Sequence, residues 1–138
     1  DEWKSFEEEV LTLTNEIRSN GTSCGGQAYP PVPPLMMQRN LRCSARVHSK
    51  DMYERDFFDH TNPSGEGPAD RIEQANYAWM SYGENIAWRY STPEEVVQGW
   101  NDSPGHCTNM MSDWFDEIGV GMYDAGTGIY WTQNFGSR

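Results

Sequence analysis

The chain has 138 residues, with 21 acidic against 10 basic side chains and a formal net charge of −11. That length suits one domain with its own hydrophobic core, held up without a metal or a web of disulfides. The charge repels phosphate backbones and anionic headgroups, which argues against nucleic acid as a partner, and no run nears the ~20 apolar residues of a membrane helix.

The chain opens on acidic Asp1-Glu2 rather than on basic residues ahead of an apolar run, so any signal peptide is expected to have been removed. Trp3, Phe6, Val10, Leu13 and Ile17 are spaced by three and four and predict one helical stripe to about Arg18, stopped by Asn20-Gly21. From Cys24 to Pro34 the chain carries Gly25-Gly26 and four prolines, and the prolines remove amide donors and fix φ, which predicts an extended surface strap. A second helix is predicted from Asn40 to near Phe57-Phe58. Leu41, Ala45, His48 and Met52 lie on one face, and Cys43 and Val47 beside it give partly buried flanks.

Asp59 to Pro68 reads as a loop with His60 at its start, followed by a short helix over Ala69–Ala75. Thr92-Pro93-Glu94-Glu95 predicts a helix start, with Thr92 as cap, Pro93 at the first position and Glu95 closing a capping box. Ser103-Pro104-Gly105 breaks that helix and starts another carrying His106 through Met111. Ile118–Tyr123 and Ile129–Phe135, separated by a glycine-bearing turn, predict a closing hairpin. Helices first and a hairpin last give an α+β arrangement.

The three histidines differ in setting. His48 sits on an apolar helical stripe and reads as a hydrogen-bonded core residue. His60 and His106 lie at a loop start and just after a Pro-Gly break, where rigid scaffolds present functional groups. Gly83-Glu84-Asn85-Ile86-Ala87 supplies a carboxylate that can orient imidazoles or act as a base. Cys107 follows His106 directly and raises a cysteine–histidine nucleophile. Helical neighbours point about 100° apart, however, which places the two poorly for one site. Cys24, Cys43 and Cys107 allow one disulfide and one free thiol, or three free thiols.

His60, then Gly83-Glu84-Asn85-Ile86-Ala87-Trp88, then Gly105-His106-Cys107-Thr108-Asn109-Met110-Met111, then Glu117-Ile118-Gly119-Val120-Gly121, and last Tyr130-Trp131-Thr132-Gln133-Asn134-Phe135-Gly136 follow one another as an ordered set. This set closely resembles a CAP domain, the superfamily of cysteine-rich secretory proteins, antigen 5 and pathogenesis-related 1 proteins. Ser91–Trp100 running into Ser103-Pro104-Gly105-His106 is similar to the compact bacterial branch. The resemblance covers essentially the whole chain.

It implies a secreted, monomeric α+β domain, an α-β-α sandwich with a small antiparallel sheet flanked by helices. It also implies a cleft that binds a divalent metal, often zinc, through His60 and His106, with Glu84 as first acid. Relatives place a second acid three residues after the helix tryptophan. From Trp100 that position is Ser103, with Asp102 one step earlier, leaving either a triad or a reach inward by Asp102. A Cys24–Cys107 disulfide is implied, with Cys43 unpaired in a packed helix and Cys43–Cys107 as the alternative pairing. Three functions follow: a metal-binding domain, a metal-dependent hydrolase using Glu84 as base, or a module for lipid, sterol or peptide ligands. The aromatic residues, 13% of the chain, are first needed for the core of so small a domain.

Overall fold

The computed structural model describes residues 2–138; Asp1, the first residue of the acidic N-terminal pair, lies outside the described residues. The elements run α1 (Glu2–Asn20), β1 (Thr22–Cys24), β2 (Gln27–Tyr29), β3 (Met36–Met37), α2 (Arg39–Glu54), α3 (Pro68–Gln74) and β4 (Ser81–Trp88). They continue with α4 (Pro93–Asn101), α5 (Pro104–Met111), β5 (Glu117–Asp124) and β6 (Ile129–Ser137). Among the described residues no helix is long and apolar enough to cross a membrane.

The first helix forms where its periodicity predicts, and Gly21 ends it at φ 76°, a left-handed conformation that suits glycine. Its buried face is nevertheless rotated from the apolar stripe. Glu7, Val10, Thr14 and Arg18 are buried, whereas Trp3 is 37% exposed. Both buried charges are satisfied. Glu7 receives the Arg46 guanidinium and the Met122 amide. Arg18 donates to the carbonyls of Pro33, Met110, Ser112 and Phe115. Buried polar groups with full partners are tolerated where bare ones are not. Here they tie α1 to the proline strap and to the C-terminal end of α5.

The strap is not wholly extended. Gly25 and Gly26, at φ 56° and 83°, form a two-residue turn that folds β1 against β2. Only the proline run beyond it is a strap, and Asn15 clamps its end by donating to and accepting from the Leu35 backbone.

The main sheet has the order β3-β5-β6-β4. The closing hairpin, β5 with β6, is as predicted, and β4 pairs antiparallel with β6 at the edge. The two-residue β3 pairs parallel with β5, a contact too short to leave a period in the sequence. The α2 helix lies directly on β5 because Gly119 and Gly121, two residues apart on one face, carry no side chain. A Cβ at either would meet α2 backbone atoms, 2.0 Å from Leu41 C and 2.2 Å from Arg46 N respectively. Ile118, Val120 and Met122 point to the other face and join Val10, Val96, Val97, Trp100, Met110 and Trp131 in the principal core. Helices thus cover both faces, giving the α-β-α sandwich.

Two details of α2 differ from expectation. It ends at Glu54, short of Phe57-Phe58, and its flanks are open: Val47 is 54% exposed and Cys43 is an exposed free thiol. The apolar pattern there exceeds the area the sheet can cover, so only the face carrying Leu41, Ala45, His48 and Met52 is buried. Cys24 and Cys107 form the disulfide, with Cα atoms 5.5 Å apart.

Candidate functional site

Glu84 is on the edge strand β4, and strand alternation decides what it can reach. Its side chain points toward α2, and that of Asn85 points toward α1 and α5. Glu84 is nearly fully buried, which for a carboxylate demands compensation. Arg71 of α3 supplies it, with Nη2 donating to both carboxylate oxygens at 3.1 and 2.9 Å. Asn134 Nδ2 donates at 2.8 Å from β6, and Asn134 is itself fixed by the Ser44 hydroxyl from α2. His60 Nδ1 lies 2.8 Å from Glu84 Oε1. A carboxylate can only accept there, so Nδ1 carries the proton and the lone pair of neutral His60 is on Nε2.

On the other face of β4, Asn85 Nδ2 donates to the His106 carbonyl and to Gln133 Oε1. Gln133 donates in turn to Thr14 of α1. Asn109 donates to the Glu84 carbonyl and to Asn85 Oδ1, locking α5 onto the strand. The His60 ring is thus held through Glu84 and the His106 main chain through Asn85, the two neighbouring residues that β4 directs to opposite faces. The ring of His106 makes no hydrogen bond among the described residues, and its side chain is half-buried.

These surroundings set the protonation pattern. Burial pushes the Glu84 carboxyl up, but the His60 hydrogen bond and the Arg71 charge outweigh it and hold it below the usual carboxylate range. The hydrogen bond to Glu84 raises His60 despite partial burial. Burial lowers His106, and the neighbouring His60 charge lowers it further.

His48 is the hydrogen-bonded core histidine its helical stripe predicts. It is completely buried, with Nε2 2.9 Å from the Asp59 carbonyl and 3.9 Å from Glu84 Oε1. Burial is the main cause that pushes it down from 6.5 to about 4, against the pull of Glu84. The unfolded chain therefore binds the proton first as pH falls through 6.5, so His48 withdraws stability between there and about pH 4. At about 1.4 kcal/mol per pH unit, the loss from this group between pH 7 and pH 5 is about 2 kcal/mol. Urea denaturation at the two pH values should show that difference between wild type and His48→Gln; parallel curves would contradict it.

The remaining expected residues stand apart. Asp102 is exposed at the end of α4, where it accepts from Gln98 rather than reaching inward. A second acid is thus not brought to Glu84 from this position. Ser103 occupies the N-cap of α5 without a side-chain cap bond. Thr92 caps α4 as predicted, but Glu95 reaches back to the Ser91 amide and the Thr92 hydroxyl, so the capping box closes one residue early. Arg71, Ser44 and Asn109 are the contributors that sequence reasoning missed. Asn109 and Asn134 lay inside the ordered motifs, whereas nothing local marks Arg71. Among the described residues, no group of three His, Cys, Asp or Glu side chains is placed to hold a metal together.

Comparison with known proteins agrees with this architecture. The chain is 36% identical over 131 residues to YkwD of Bacillus subtilis (strain 168), covering 95% of this chain and 47% of that protein. It is 30% identical over 142 residues to the membrane protein YlbC of the same strain, covering 100% of this chain and 37% of that protein. It therefore spans less than half the length of these two curated relatives. An extracellular protein containing a SCP domain from Bacillus anthracis str. Ames superposes with a TM-score of 0.85 at 31% identity, covering 98% of this chain and 41% of that one. The family model of the cysteine-rich secretory proteins matches residues 11–135, and the chain belongs to that CAP family.

Proposed function

We propose that this domain works outside the cell and binds a divalent metal, zinc by its donor chemistry, through His60 and His106, with Glu84 orienting His60 rather than joining the coordination. The observation that carries this reading is the His60 Nδ1 to Glu84 Oε1 bond of 2.8 Å. A carboxylate that holds one ring nitrogen fixes the tautomer and leaves the other nitrogen basic, the arrangement found behind metal-bound histidines. The donor set fits an open, weak site. Two imidazoles fall short of the four protein ligands of a structural zinc centre, and the Glu84 oxygens are already engaged by Arg71, Asn134 and His60. Zinc bound there would supply a Lewis acid to an exchangeable oxygen ligand. The same engagement argues against Glu84 as a general base, since a base needs a free lone pair and a pKa near the working pH, and this carboxyl is held low.

Calorimetric titration with zinc tests the proposal. The double variant His60→Ala, His106→Ala should lose binding, and Glu84→Gln should weaken it by about 10- to 100-fold. Equal binding by the double variant would sink the metal site.

A further inference from the structure

His60 is carried by the loop between α2 and α3, and a loop ligand is held only as well as its backbone. Two buried donors from different helices grip the peptide groups on either side of its Cα. Arg71 Nη2 donates to the His60 carbonyl at 2.9 Å, and His48 Nε2 lies 2.9 Å from the Asp59 carbonyl. A carbonyl only accepts, so His48 Nε2 must carry the proton and Nδ1 must be bare. That bare nitrogen is buried without a partner.

We propose that His48 is a positioning residue for the metal site: it clamps the Asp59 carbonyl so that, with Arg71 on the next carbonyl and Glu84 on the ring, His60 presents Nε2 in one orientation. The inference rests on the metal reading above, which supplies what His60 is being positioned for. Three features support the role. First, α2 is a rigid base, since its Ser44 and Ser49 hydroxyls bond Asn134, the Gly121 carbonyl and Thr132 across the sheet interface. Second, His48 packs against the Phe57 ring, with centroids 5.8 Å apart, where an apolar side chain of similar volume would remove the orphaned buried Nδ1 from the core. Third, the one thing such a side chain could not do is donate to the Asp59 carbonyl. The imidazole thus costs the core something, and what it returns is the placement of the residue next in the chain.

The test compares wild type, His48→Leu and His48→Gln by zinc titration, thermal melting at pH 8, and long-range proton–nitrogen spectra of the imidazoles. His48→Leu should melt near the wild-type temperature, bind zinc at least tenfold more weakly, and lose the sharp Nδ1–H signature of His60. His48→Gln should recover both, because its amide can donate to the same carbonyl. Full zinc affinity and an unchanged His60 spectrum in folded His48→Leu would overturn the proposal, as would failure of His48→Gln to rescue. The wild-type spectrum decides independently of any variant: His48 must be the Nε2–H tautomer, and an Nδ1–H tautomer would overturn the clamp even if His48→Leu did not fold. Absence of zinc binding by the wild type would instead remove the metal reading, while the His60 spectra still report whether His48 sets its geometry.

Discussion

Arg71→Met is expected to destabilise the protein by about 3–5 kcal/mol at neutral pH, the usual cost of leaving a buried charge without its partner. Arg71 and Glu84 are both almost fully buried, and the guanidinium touches both carboxylate oxygens. Without it, burial would push the Glu84 carboxyl upward with less to oppose it. The variant should therefore recover part of its stability as pH falls toward 5, when Glu84 takes a proton. Adding Glu84→Gln should cost much less in the Arg71→Met background than in wild type, because the two side chains act as one unit. Urea denaturation of the four proteins at pH 7 and pH 5 checks both signs. Additive single effects with no pH recovery would show that the pair is not the structural keystone of the β4 edge.

The second large effect belongs to the disulfide. Cys24 and Cys107 are 83 residues apart in sequence, and closing a loop of that length removes unfolded-state entropy worth about 4.5 kcal/mol in the chain-entropy model. Both cysteines are buried, among Ile17, Tyr29, Val32 and Met111, so the bond also pins the β1–β2 hairpin to α5, the helix that carries His106. Cys24→Ser, Cys107→Ser should lose a comparable amount of unfolding free energy. In the unreduced wild-type protein a thiol reagent should find one reactive group, the exposed Cys43. Two or three reactive thiols in the native protein, or a double variant as stable as wild type, would refute this account.

Much of the fold was legible because its signals are local. Thr92-Pro93 caps α4, Asn20-Gly21 ends α1, and the glycines between Tyr123 and Ile129 allow the hairpin; each acts within a few residues of itself. The site was legible in part. His60, Glu84 and His106 stood out through their non-periodic settings and the order of their motifs. Asp102 did not join them, because the end of α4 turns it to solvent. Arg71 was invisible, since a lone arginine in a seven-residue helix carries no sign that a strand thirteen residues on will need its charge.

Periodicity, caps and turn residues determined which segments are helices and strands, and the ordered motifs identified the family. Only the tertiary structure decided which face each element buries and which polar groups meet. Glu7, Thr14 and Arg18 displaced the apolar stripe of α1 from the centre of its interface because Arg46, Gln133, α5 and the strap offered them partners. Likewise β4 became an edge strand, so Glu84 and Asn85 project to opposite faces, Glu84 to the His60 ring and Asn85 to the His106 carbonyl. The physical reason is one of range. Backbone preferences are settled between near neighbours, whereas a buried charge is settled by whatever distant group reaches it first.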